Sequence, residues 1–259
     1  MRARMWLIIF AMAVGLSWQA SAQDEQKPFE QWTKQEAEKV LNDSPWAIEQ
    51  EVRIRYAGTM TAVAGGPTAA QANGALLRSG ANTASLGGAR APVDFVFTLR
   101  LRSALPVRKA LARLKQLEAK NDKTGKKESA DLDKVVKGLL ECPACTDNYV
   151  LTLSSKSKES PGADAVYTVF GGAKLADLKR YLSIANERGE RRELIHFVPP
   201  RVPGAEAVFY FPRLDEKGAP LLTPESKTLI FNVTSGEVNE VVNFNINVST
   251  IVAGGVVQF

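Results

Sequence analysis

Val93-Asp94-Phe95-Val96-Phe97-Thr98-Leu99-Arg100-Leu101-Arg102 decides the fold class. In an extended chain Val93, Phe95, Phe97, Leu99 and Leu101 fall on one face, and Asp94, Val96, Thr98, Arg100 and Arg102 on the other. A period of two with one apolar face predicts a half-buried strand. Strands of that kind belong to antiparallel sheets, which bury one face and solvate the other. Upstream, Glu51–Val63 reads as a second such strand, with Val52, Ile54 and Tyr56 alternating with Arg53 and Arg55. The stretch between them, Ala64–Ala91, has no Asp or Glu and carries Gly65-Gly66 and Gly87-Gly88. It is expected to be a flexible insertion, because it has few side chains worth burying and its Gly pairs break regular structure.

Downstream of the central strand the period changes. Pro106 suits a first helical turn. Val107, Ala110, Leu111, Leu114 and Leu117 then form one stripe. A basic turn, Lys120–Lys127, leads to a second helix that Ser129 is expected to cap. Its apolar positions are Leu132, Val135, Val136, Leu139 and Leu140. The two helices are expected to form a hairpin on one face of the sheet. After Cys142-Pro143-Ala144-Cys145 the pattern predicts strands at Tyr149–Leu153 and Ala165–Phe170. A third helix follows, with Leu175, Leu178, Leu182 and Ala185, stopping at Gly189. The remaining strands are Leu194–Val198, Ala207–Phe211, Thr228–Val233, Val241–Val248 and Val256–Phe259. Ahead of all this, Thr33-Lys34-Gln35-Glu36 reads as a capping box. The short helix it opens ends at Asn42-Asp43-Ser44-Pro45, and Trp32 and Trp46 are expected to pin it to the core. The fold class is α+β: a largely antiparallel sheet with a helical hairpin and one further helix packed on it, preceded by a short N-terminal helix.

The first residues set the compartment. Arg2 and Arg4 precede the uncharged apolar run Trp6–Leu16, and Ala20-Ser21-Ala22 offers small residues to a signal peptidase. The run is too short to span about 30 Å of hydrocarbon. The expected organisation is a signal peptide over 1–22, an N-terminal helical segment over 23–48, and a single α+β domain over 49–259 with a flexible insertion at 64–91. The expected location is periplasmic or secreted, with no transmembrane helix in the mature chain. The 33 Lys and Arg against 28 Asp and Glu leave a net charge of +5, which falls further on loss of Arg2 and Arg4. That balance does not argue for nucleic acid.

Several phrases resemble a family of uncharacterised exported bacterial proteins. They are Phe29-Glu30-Gln31-Trp32, Asn42-Asp43-Ser44-Pro45-Trp46-Ala47, the run Ser103-Ala104-Leu105-Pro106-Val107-Arg108 continuing to Leu114, and Cys142-Pro143-Ala144-Cys145. The resemblance implies no activity and carries over no functional residue.

Two cysteines are present, and in an exported chain the pair Cys142 and Cys145 is expected to form a disulfide. Closing so short a loop gives local stiffness rather than much chain entropy. A redox pair and a metal site are the other readings. Redox sites of this motif follow a strand and open a helix, whereas here a helix precedes and a strand follows. A helix C-terminus, with Glu141 and Asp147 nearby, disfavours a thiolate. A metal would need two more ligands, which His196, Asp147 or the cysteine pair of a second chain could supply. His196 is the sole histidine; without a nucleophile elbow it reads as structural. Ser155-Lys156-Ser157-Lys158 matches Ser-x-x-Lys but lies at a strand end rather than opening a helix. The alternating Asn243–Ser249 and the terminal Phe259 also occur in outer-membrane barrels, but the charged amphipathic helices argue against one. No catalytic residue, cofactor-binding residue or metal ligand is assigned, and no cofactor is expected. The expected function is that of a non-enzymatic envelope protein binding an unknown protein or small ligand through its sheet. The alternative is a thiol-redox or metal-dependent protein centred on Cys142 and Cys145.

N-terminal sequencing of the exported protein is expected to begin at Gln23. An exported pool that retains Met1 overturns the signal-peptide assignment.

Overall fold

The computed structural model describes residues 27–55, 59–62, 71–73, 93–121, 128–160, 162–234, 241–253 and 256–257. The expected signal peptide, most of the expected 64–91 insertion and residues 122–127 of the basic turn lie outside them.

The N-terminal segment folds as its sequence dictates. Thr33 caps α1 (Lys34–Asn42) in a complete capping box. The Glu36 amide donates to Thr33 Oγ1 at 3.2 Å, and the Thr33 amide donates to Glu36 Oε2 at 2.6 Å. Trp32 and Trp46 both pack against the core. Two further bonds hold the segment down: Arg113 Nε donates to the Trp32 carbonyl at 2.6 Å, and the Leu101 amide to that of Trp46 at 2.8 Å.

The main sheet is built on β4 (Val93–Leu101), the strand with the clearest alternation. On one side it pairs with β1 (Ala47–Arg55), which pairs in turn with β2 (Thr59–Ala62), and β2 with β3 (Gln71–Asn73). On the other side lie β5 (Asn148–Ser157), β9 (Ala207–Pro212) and β8 (His196–Val198). The order is β3-β2-β1-β4-β5-β9-β8, and every pairing is antiparallel. The register stacks Phe97, Leu99 and Leu101 beside Ser155, Leu153 and Leu151, and these beside Ala207 and Phe209.

A second antiparallel sheet has the order β11-β10-β6-β7. Its strands are β6 (Leu182–Asn186), β7 (Arg191–Glu193), β10 (Thr228–Thr234) and β11 (Val241–Asn247). Its inward side chains, Leu182, Ile184, Leu229, Phe231, Phe244 and Ile246, share one buried cluster with those of the main sheet. A small ladder, β12 (Val252–Ala253) with β13 (Val256–Val257), ends the described chain.

Of the helical hairpin, α2 (Leu105–Asn121) delivers Val107 and Ala110 to the core. The second helix, α3 (Glu128–Glu141), packs on α2 and none of its described side chains is fully buried; Val135 is 48% exposed. The hairpin therefore meets the core through its first helix only. α3 begins at Glu128, which places Ser129 inside the helix rather than at its cap.

Other expectations are corrected. Ala165–Phe170 is a helix, α5, not a strand. Its β-branched composition is outweighed by two caps: Asp164 Oδ1 accepts from the Tyr167 amide at 3.1 Å and Ser155 Oγ from the Val166 amide at 2.9 Å. Val166, Val169 and Phe170 then point inward at helical spacing. The expected third helix is a single turn, α6 (Leu175–Leu178), followed by β6. Pairing on both sides, with β10 and β7, satisfies the β6 backbone and overrides the helical spacing of Leu182 and Ala185. Glu51–Val63 is not one strand: β1 starts earlier and β2 folds back on it. Within the expected insertion, Gln71–Asn73 pairs as β3. Leu194–Val198 is strand only from His196, because Leu194 and Ile195 carry the chain from the second sheet to the first.

Hydrogen bonds from Lys27, at 2.7 and 2.8 Å, and then from Thr33 hold the Glu36 carboxyl down at about 2. The folded value lies below the unfolded one. Glu36 therefore stabilises the fold above the ordinary carboxylate range, and that contribution is lost as pH falls toward about 2. Glu36→Gln is expected to flatten the acid limb of the stability curve followed by circular dichroism. An unchanged acid limb would show that the box contributes nothing there.

Candidate functional site

The Cys-Pro-Ala-Cys turn closes α3. The Cys142 amide donates to the Gly138 carbonyl at 3.1 Å, ending the helix. Cys142 itself is left-handed (φ 36°, ψ 70°), the sole non-glycine residue with positive φ among those described. That conformation is usual just past a helix end, but glycine normally supplies it. Pro143, which has no amide hydrogen to lose, then opens a one-turn helix, α4 (Pro143–Asp147), ahead of β5. The expected direct hand-over from helix to strand is corrected by this inserted turn.

Cys142 and Cys145 sit at disulfide distance, with the sulfurs 1.96 Å and the Cα atoms 5.3 Å apart. Cys145 is 3% exposed and packs on Val150 and Val208, with Cys142, Val198 and Tyr210 around it. Val150 alternates with the core residues Tyr149 and Leu151, so the turn covers the face of the main sheet opposite the core. The local charge differs from the sequence expectation. Arg213 donates twice to the Cys145 carbonyl, from Nε at 3.0 Å and from a terminal nitrogen at 2.8 Å. A cation thus stands on the motif, within the field of the Asp147 carboxylate.

The remaining candidates are placed elsewhere. His196 is exposed on β8, its ring 4.9 Å from that of Tyr210. Among the described residues no three His, Cys, Asp or Glu side chains gather to hold a metal ion. Ser155 is buried in β5, where its hydroxyl donates to Asp164 Oδ1 at 2.6 Å. Asp164 Oδ2 also accepts from the Gly204 amide at 2.7 Å. This serine and carboxylate together build the start of α5.

Behind the disulfide turn lies a basic cluster that no motif announced. Tyr149 is 1% exposed, and its hydroxyl accepts from the Leu222 amide at 3.2 Å. Burial pushes its phenol up, against the opposing pull of that bond and of Arg213 and Arg192. The Arg213 guanidinium lies 5.0 Å above the Tyr149 ring. Burial pushes Arg213 down, and Arg108 adds to that push by like-charge repulsion.

A third feature is on the outside of the second sheet. Thr228 pairs with Asn247, Ile230 with Asn245 and Asn232 with Asn243. The alternate residues Leu229, Phe231, Phe244 and Ile246 face the core. The outer face therefore carries a row of amides, and a shallow cleft there is lined by Lys227, Thr228, Asn245, Asn247 and Ser249. Asn247 is committed to the next turn, accepting from the Ser249 amide at 3.1 Å and its hydroxyl at 2.6 Å. Asn245 is exposed and makes no side-chain hydrogen bond among the described residues. The alternation of Asn243–Asn247 was legible in the sequence; which face would stay open was not.

No protein-family model, curated protein or solved structure matches the chain. Among the described residues no helix is long and apolar enough to cross a membrane.

Replacing both cysteines by Ser is expected to cost about 1–3 kcal/mol in urea unfolding, as for a short-loop native disulfide. Glycine at 142 in the Cys145→Ser background is expected to recover about 1 kcal/mol relative to serine there, by relieving the left-handed backbone. Equal midpoints for the glycine and serine variants would show that the backbone at 142 relaxes without the bridge.

Proposed function

We propose that the chain is a non-catalytic protein of the cell envelope, exported by its signal peptide, that binds a polar partner or ligand through its sheet. The observation that supports this is the amide-lined outer face of the second sheet, with Asn245 exposed at its centre. Amides donate and accept at once, so such a row suits a hydroxyl-rich or peptide-like surface. Three polar groups buried elsewhere, Ser155, Asp164 and Asn186, are tied into turns and caps.

A second reading, thiol-redox function at Cys142 and Cys145, is favoured by one observation: Arg213 on the Cys145 carbonyl. A nearby guanidinium favours a thiolate. Thiol alkylation with mass spectrometry, together with a reduction potential, separates the two readings. A potential near those of exported oxidants selects the redox one.

A photo-crosslinking amino acid at position 245 of the exported protein is expected to give a discrete adduct in the envelope fraction. The same group at Lys137, on the exposed side of α3, is expected to give none. Absence of an adduct from 245, or the same products from both positions, overturns binding through this face.

A further inference from the structure

We propose that the end of the molecule around Tyr149 is a binding site for a small free oxyanion of the phosphate or sulfate class, held by Arg108, Arg192 and Ser103 beside Arg213. The placement follows from register. Leu101 pairs with Leu151, and the Ser103 amide donates to the Val150 carbonyl at 3.1 Å, which continues the ladder beside Tyr149. Arg213 extends β9, its amide donating to the Asp147 carbonyl at 2.9 Å, and its guanidinium covers the Tyr149 ring. Arg192 pairs with Ile184, a core residue, so it points between the two sheets, and it is 7% exposed. Arg108 comes from the end of the first turn of α2.

Three of their buried polar atoms, Arg108 Nε, Arg192 Nε and Ser103 Oγ, have no hydrogen-bond partner among the described residues. Among the described residues Arg192 donates from one terminal nitrogen to the Arg191 carbonyl at 3.0 Å and from the other to that of Ala219 at 2.7 Å, but its buried Nε has no acceptor there. Arg108 donates to the Leu140 carbonyl, and its buried Nε also has none. The Ser103 hydroxyl, wholly buried, is likewise without a partner among the described residues. Buried polar groups are nearly always hydrogen-bonded, and a buried cation is costly unless neutralised. Neither Arg108 nor Arg192 makes an ion pair among the described residues. Asp215, which feels Arg192, accepts the amides of Lys217 and Ala219 on Oδ1 and forms no ion pair with Arg192 among the described residues. Asp147 acts on Arg213 from an exposed position. A water molecule would satisfy N–H groups and leave the charge. A small oxyanion does both, with several acceptor oxygens for guanidinium and hydroxyl donors. The burial of Tyr149 and Arg192 selects a free ion over a polymer or a lipid headgroup.

The test is titration of the full mature chain with sodium phosphate and sodium sulfate at fixed ionic strength, against sodium chloride, by calorimetry and thermal unfolding. Saturable one-to-one binding with a rise in Tm is expected. Arg192→Lys and Arg108→Lys, which keep charge and lose the planar fork, are each expected to weaken binding roughly tenfold. If Arg192→Lys does not fold, Arg108→Lys carries the comparison. Identical unfolding in all three salts overturns the site, as does undiminished binding in the folded variants. Equal affinity for glycerol 3-phosphate overturns the assignment to a small free ion.

Discussion

Phe209 lies at the centre of the contact on which both sheets depend. Its ring is 5.4 Å from Phe197 on the neighbouring strand, 5.4 Å from Phe170 on α5 and 5.3 Å from Phe231 across the inter-sheet space. Phe231 in turn meets Phe211 and Phe244. Each such pair adds about 0.5–1.5 kcal/mol beyond the area it buries. Neither sheet could bury its apolar face alone. The stripe of β4, β5 and β9 is dry because the second sheet and α5 lie over it, and their own stripes are dry for the same reason.

The opposite face of the main sheet is managed by polar fastening. Arg100, on the solvent side of β4 by alternation, donates to the Leu41 carbonyl, Asn42 Oδ1, Ser154 Oγ and Glu206 Oε1. One side chain thus ties the end of α1 to β4, to β5 and to the residue that precedes β9. Its planar fork suits this divergent set of acceptors, which a lysine could not match. Farther along the same face, α4 and its sulfur pair cap Val150 and Val208. The disulfide turn therefore acts as a cover as well as a helix stop.

The polar end around Tyr149 and the amide row of β11 differ in kind. The first is buried, cationic and assembled from Ser103, Arg108, Arg192 and Arg213, residues far apart in sequence. The second is exposed at Asn245 and Asn247 and largely local, drawn from the alternation of a single strand. Local features announce themselves in a sequence because period and spacing encode them. Assembled ones do not, because no arginine carries a mark of the neighbours that the fold will give it. That is why the sequence pointed to Cys142, Cys145 and His196 and passed over Arg192.

By itself the sequence determined the α+β class, the capping box at Thr33 and Glu36, the β4 alternation, the α2 stripe and the cysteine pairing, each written in contacts a few residues apart. Tertiary structure alone decided the rest. Ala165–Phe170 became a helix because Ser155 and Asp164, one of them on another strand, supplied its caps. Leu182–Asn186 became a strand because β10 and β7 offered partners on both sides. The split into two sheets depended on which apolar stripes met at Phe209 and Phe231. The physical reason is common to these cases: a backbone segment with mixed propensity takes whichever conformation lets distant groups satisfy its hydrogen bonds and bury its side chains.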